Sequence, residues 1–223
     1  MPALTQRTAA SFVPEAHSLP VLQKAVQSCH GCDLYRNATQ AVFGELEALP
    51  TRTERVQVDL MMIGEQPGDH EDKEGHPFVG PAGKLLDRCL EEAEIDRHKV
   101  YVTNTVKHFK WEPRGKIRLH KKPNMQEIRA CRPWLDAELE AVQPRLIVCL
   151  GATAAQGLLG ARFRITQSHG QVEKPEGLPP VIATLHPSAI LRARTSEDRE
   201  RDRSTFIDDL RKAAAYVKTS GKK

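Results

Sequence analysis

Four short apolar stretches, separated by segments of helical pattern, restrict what this chain can fold into more than any other feature. They are VQVDLMMIG (56–64), VYVTNTVK (100–107), RLIVCLG (145–151) and PVIATLHP (180–187). Each is nearly continuous in hydrophobic residues. Strands of that kind, alternating with helices, belong to a parallel sheet covered on both faces. Helices are expected at 20–28, 81–94, 124–142, 151–159 and 203–217, the last with Phe206, Ile207, Leu210, Ala213, Ala214 and Val217 at helical spacing. The predicted fold class is therefore α/β: a three-layer α/β/α arrangement around a central, mainly parallel four-stranded sheet. A single domain over 15–218 is expected, with loose tails over 1–14 and 219–223, a reasonable size for one core at 223 residues.

No apolar run approaches the roughly 20 residues of a membrane span, and the first residues lack the basic-then-apolar layout of a secretion signal. The cytoplasm is the expected compartment, and nothing in the sequence calls for more than a monomer. A net charge of +4 is modest, but its distribution is not. Lys107, Lys110, Arg114, Lys116, Arg118, Lys121 and Lys122 fall in one stretch, and Arg192 and Arg194 follow a His-Pro-Ser turn. If the two segments meet they form a basic rim suited to a phosphate backbone; a solvated loop is the plainer alternative.

In open α/β sheets, functional groups gather beyond the carboxyl ends of the strands. Three unusual loops fall there: GEQPGDHEDKEGHPFVGPAG after the first strand, 104–124 after the second, and HPSAILR after the fourth. The first displays Glu65, Gln66, Asp69 and Phe78 on a glycine- and proline-rich frame able to present backbone N–H groups.

Taken in order, GEQPGDHED with PFVGPAGKLLD, then TNTVK, CRPWL and HPSAILR resemble the uracil-DNA glycosylase superfamily, most of all its iron-sulfur family 4. The basic insertion also resembles that of the UdgX proteins, which reads Lys-Arg-Arg-Ile-His; here it is Lys116, Ile117, Arg118, Leu119, His120. The resemblance implies removal of uracil from single- or double-stranded DNA. The chemistry of the residues agrees with it. A base-excising enzyme must hold the nucleotide out of the stack and read its pairing edge. Phe78 is a stacking surface. Asn104 can pair with O4 and N3–H of uracil and reject cytosine, whose donor pattern is reversed.

By the same resemblance His186 donates to uracil O2 and stabilises the departing anion, while Glu65 or Asp69, beside Gln66, stabilises the cationic sugar or orients the attacking group. Arg192 braces the DNA groove, and Lys116, Arg118, Lys121 and Lys122 contact phosphate. The UdgX resemblance makes His120 the nucleophile. An imidazole bonded to the anomeric carbon leaves poorly, so the protein would stay covalently on the abasic sugar after one turnover. Its neighbouring lysines should disfavour the protonated ring. The alternative is a conventional family 4 enzyme that turns over, with His120 only touching phosphate.

Five cysteines without an export signal argue for thiol or metal chemistry over disulfides. Cys89 and Cys149 lie in apolar surroundings and read as core. Cys29 and Cys32, in a CxxC turn, and the distant Cys131 suggest an iron-sulfur cluster or zinc, with a redox pair also open. The resemblance favours a 4Fe-4S cluster. His108 stands where family 4 has a fourth cysteine, and His30 is a weaker candidate for that place.

Overall fold

The computed structural model describes residues 7–46 and 56–220. In chain order its principal elements are α1 (Leu19–Val26), β1 (Leu60–Gly64), α2 (Asp69–Glu74), α3 (Pro81–Glu92) and β2 (Val100–Asn104). There follow β3 (Trp111–Arg114), β4 (Ile117–His120), α4 (Met125–Val142), β5 (Leu146–Leu150) and α5 (Ala152–Leu159). The chain continues through α6 (Ile165–Ser168), β6 (Val172–Glu173), β7 (Val181–Thr184), α7 (Pro187–Leu191) and α8 (Ser196–Ser220).

β1, β2, β5 and β7 are the four expected strands, each shorter than its apolar run. They pair in parallel, and β6 adds an antiparallel edge, giving a five-stranded sheet in the order β2-β1-β5-β7-β6. β6 escapes sequence reading because two residues carry no periodicity. The alternation of side chains divides the core between the two faces. Met61, Ile63, Tyr101, Ile147, Cys149, Val181 and Ala183 pack towards α1, α4 and α5. Leu60, Met62, Val100, Val102, Leu146, Val148 and Ile182 pack towards α3 and α8. Both faces being dry explains why the strands read as unbroken apolar runs.

From β1 the chain moves outward to β2, then crosses back to place β5 on the other side of β1. The strand order therefore reverses between β1 and β5, which opens a crevice at their carboxyl ends.

Three expectations need correction. Residues 7–14 are not a loose tail: Ala9–Phe12 form a 3-10 helix capped by Thr8, and Ala9 is buried. Its backbone comes so close to Gly31 that a Cβ there would lie 2.6 Å from Ala9. Residues 1–6 and 221–223 lie outside the described residues, and 219–220 belong to α8. α8 also starts seven residues before the helix predicted at 203. Its first two turns are held by ion pairs such as Arg201–Asp198 (2.7 Å) and Arg203–Glu200 (3.2 Å) and show no apolar stripe. Finally, the basic insertion is a two-stranded hairpin, β3 and β4, joined at Gly115 (φ +59°) and Lys116. Among the described residues, no helix is long and apolar enough to cross a membrane.

Candidate active site

The three loops expected on one edge of the sheet do meet. Two cavities at the carboxyl ends, of about 310 and 160 Å³, share Gln66, His120, His186, Ser188 and Arg192 in their walls. The smaller adds Phe78, Asn104, Gly68, Glu71 and Ala82; the larger adds Glu65, Lys122 and the β5–α5 junction with Thr153.

The smaller cavity is shaped by backbone geometry. Phe78 takes a left-handed conformation (φ +58°), uncommon for a non-glycine residue, and its ring packs at 6.2 Å from His186, the planes 28° apart. Two glycines make that possible. A Cβ on Gly83 would collide with the Phe78 carbonyl, and one on Gly64 would sit 2.4 Å from Asn104 Oδ1 and 2.7 Å from the Phe78 ring. Glu71 stiffens the loop by accepting from Gly68 N (2.9 Å) and Gly80 N (2.8 Å). Asn104 is buried, and its Oδ1 is the buried side-chain oxygen without a hydrogen-bond partner among the described residues. Such an atom is costly unless something arrives to satisfy it.

His186 caps α7. Its Nδ1 accepts from Ser188 N (3.1 Å) and lies 2.8 Å from Ser188 Oγ. Burial first, then the charges of Arg192 and His120, push its pKa down to about 4. A neutral ring accepting at Nδ1 carries its proton on Nε2, which makes that edge a donor.

His120 ends β4, half exposed, with Nε2 3.5 Å from Glu65 Oε1 and its ring 6.0 Å from that of Phe109. Its pKa is lowered by burial and by Arg192, while Glu65 opposes the shift. The neighbouring lysines expected to do this are not the cause. Glu65 is held on its other oxygen by the Thr153 hydroxyl.

Several predicted residues make bonds within the protein. Gln66 spends its amide on the root of the hairpin: Nε2 donates to Lys110 O (3.2 Å) and Lys121 O (3.0 Å), and Oε1 accepts from Lys110 N (3.0 Å). Asp69 lines neither cavity. Burial would raise its pKa, but Lys73 and Arg118 hold the carboxyl below its usual range. Arg118 is likewise not free for phosphate. It donates to Asp69 (2.5 Å) and to the fully buried Asp72 (2.6 Å), with its guanidinium over the rings of Phe109 and Trp111. Lys107, counted in the basic rim, is fully buried and paired with Glu138 on α4, donating also to Thr103 Oγ1 (2.7 Å) and Asn104 O (2.8 Å). Lys110 pairs with Glu127 (2.9 Å) and Lys121 with Glu112 (2.8 Å). Arg114, Lys116 and Arg194 are exposed, while Arg192 and Lys122 face the cavities. Thr153, Ser188 and Glu71 were not foreseen. The position of Thr153 after the third of four parallel strands was the available signal.

Cys29, Cys32 and Cys131 lie close enough to influence one another electrostatically. Cys29 Sγ accepts from Trp134 Nε1 (3.1 Å) and Cys131 Sγ from Lys107 N (3.4 Å). Burial pushes Cys131 up to about 12 and His108 down to about 4. The ring of His30 packs against that of Tyr35, the centres 4.3 Å apart and the planes tilted by 37°. Among the described residues, no group of three or more His, Cys, Asp and Glu side chains is drawn in closely enough to hold a metal ion. Cys89 and Cys149 are core residues, as expected.

Residues 50–211 match the family described as the Uracil DNA glycosylase superfamily. Over 204 residues the chain is 36% identical to the type-4 uracil-DNA glycosylase of Thermotoga maritima, covering 91% of this chain and 96% of the relative. It is 34% identical to the type-4 enzyme of Archaeoglobus fulgidus (83% and 89% covered) and 35% identical to a type-5 enzyme of Pyrobaculum aerophilum (70% and 71% covered). The fold, the site and these matches together make the chain a member of the uracil-DNA glycosylase superfamily. Within it the chain stands with the type-4 family, the branch its motifs resemble.

Proposed function

We propose that the protein excises uracil from DNA and remains joined to the resulting abasic deoxyribose through His120. The observation that carries this reading is the placement of His120: its neutral imidazole stands in the wall shared by both cavities, against the Glu65 carboxylate. The smaller cavity takes the flipped base. Phe78 supplies the stacking face, the unpartnered Asn104 Oδ1 accepts N3–H of uracil, and the Nε2–H edge of His186 donates to O2. As the C1′–N1 bond breaks, the bonding pair leaves with uracil and the His186 dipole stabilises it without a proton being transferred first. A ring nitrogen of His120 gives its lone pair to C1′, and Glu65 balances the positive charge of the alkylated imidazole. Gln66 acts by holding the hairpin root that presents His120. Arg192, Lys122, Lys116 and Lys121 face the DNA backbone, whereas Arg118 and Asp69 brace the hairpin.

The family implies a 4Fe-4S cluster, and the donor set fits one: three soft sulfurs, two of them already receiving N–H bonds, and a buried neutral imidazole. A cluster takes its ligands around a whole cube, so it asks for wider spacing than a single ion. Cys29, Cys32, Cys131 and His108 would hold it, and its contribution would be structural, tying the N-terminal segment to the chain that leads into β3.

A turning-over glycosylase is the second reading, favoured by the identity to type-4 enzymes. Incubation with a uracil-containing oligonucleotide followed by a denaturing gel separates the two. A shifted band that vanishes in His120→Ala, with iron and sulfide in the purified protein, is the expected result. Free uracil and an abasic product with no shifted band would leave only the second reading; binding without any released uracil would reject both.

A further inference from the structure

We infer that Thr153 is a positioning residue for the reaction at His120, an inference that rests on the covalent reading above. The sheet topology brings it there. The strand order reverses between β1 and β5, so the residues just beyond these two strands, Glu65 and Thr153, face each other across the crevice. Thr153 is buried, sits in the first turn of α5 and lines the larger cavity, yet its hydroxyl is committed to a single partner, donating to Glu65 Oε2.

The first turn of α5 is built to leave that contact open. Its N-cap is Gly151, with φ +90° and no side chain to bond the free amides. A Cβ at Gly151 would lie 3.0 Å from that of His186, so the usual Ser, Thr or Asp cap would crowd the catalytic turn. A carboxylate docked beside the amino end of a helix is favourably placed in the helix field, and the Thr153 hydroxyl fixes which of its oxygens does what. Oε2 is held at the helix and Oε1 is left 3.5 Å from His120 Nε2. Glu65 has three side-chain torsions, and among the described residues the Thr153 hydroxyl is the hydrogen-bond donor that holds its Oε2 in this rotamer. His120, half exposed at a hairpin end, depends on Glu65 for its aim.

Removing the hydroxyl should therefore slow capture of the sugar more than departure of uracil, and water should compete for C1′. Thr153→Val keeps the shape and deletes the donor; Thr153→Ser keeps the donor. Under single-turnover conditions with a uracil-containing oligonucleotide, two products are counted for each uracil released: the gel-stable adduct and the free abasic strand. The wild type and Thr153→Ser should give mainly adduct. In Thr153→Val, adduct formation should fall on the order of 10- to 100-fold, as small misplacements of a reacting group do, and free abasic strand should accumulate. Affinity for an oligonucleotide carrying a non-cleavable 2′-fluorinated deoxyuridine should stay within about twofold, which a collapsed pocket would not allow. An unchanged ratio of adduct to abasic strand in Thr153→Val overturns the inference, as does equal loss of uracil release and adduct. A wild-type protein that frees uracil but forms no adduct overturns the covalent reading itself, a result that does not depend on any Thr153 variant.

Discussion

In the proposed covalent reaction His120 can attack only while one ring nitrogen keeps its lone pair, so its protonation would set a pH limit on adduct formation. Burial and Arg192 lower its pKa below the ordinary histidine value near 6.5, with Glu65 pulling the other way. The neutral form therefore dominates at and above neutral pH. The single-turnover rate of adduct formation should be flat there and decline at acid pH, approaching tenfold per unit once the ring is mostly protonated, with the bend below 6.5. A bend above 6.5 would mean that Glu65 dominates burial. At this scale the sequence was informative about identity and poor about environment. Phe78, Asn104, His186 and His120 do converge, because loops after parallel strands must share an edge. Lys107 failed as a surface lysine because its partner Glu138 lies 31 residues away on another element, a separation that no local pattern reveals. The side-chain bonds of Gln66 and Asp69 were hidden for the same reason: they go to the main chain and guanidinium of a hairpin that the sequence did not disclose, while Gln66 also lines both cavities.

That hairpin is the element on which the covalent reading turns. Its strands are mostly exposed, so they lack the apolar alternation by which strands are recognised, and its charge run reads as an ordinary loop. Exposure also means that little apolar burial holds it in place. Polar ties do so: Gln66 at the root, and Arg118 bridging from β4 to Asp69 and Asp72 on α2. Arg118 and His120 are two apart on one strand, so whatever fixes the first fixes the face that carries the second. Arg118→Met keeps the long side chain over Phe109 and Trp111 but leaves the buried Asp72 carboxylate without its cation, although Thr39 N still donates to it at 2.9 Å. The loss should be on the order of 3 kcal/mol in urea unfolding. Backbone amides of β3 and β4 should exchange faster, with those of the central sheet little changed, and adduct formation should fall with them. Full adduct yield in a destabilised Arg118→Met would show that the hairpin keeps its aim without the clamp.

Across the molecule, α4 is the member that joins parts distant in sequence. It carries Trp134, which donates to Cys29 of the CxxC turn, Cys131, which accepts from Lys107 N, Glu127, which caps its own start and pairs with Lys110 at the hairpin root, and Glu138. Glu138 is fully buried and accepts from Gly44 N (3.0 Å), Tyr101 OH (2.9 Å) and Thr103 Oγ1 (2.8 Å) besides pairing with Lys107. Lys107 in turn donates to the carbonyl of Asn104. Asn104, the residue proposed to read the base, is thus connected through one ion pair to the segment at Gly44 that covers the β2 edge. A buried pair need not be net stabilising, but removing one partner strands the other's charge. Lys107→Met and Glu138→Leu should therefore each cost about 3 to 5 kcal/mol in chemical denaturation. The double variant should cost clearly less than the sum, because no lone charge remains, while still paying for the Gly44 amide that loses its acceptor. If the two losses simply added, the pair would not be coupled, and the rigidity of Asn104 would have to come from its strand alone.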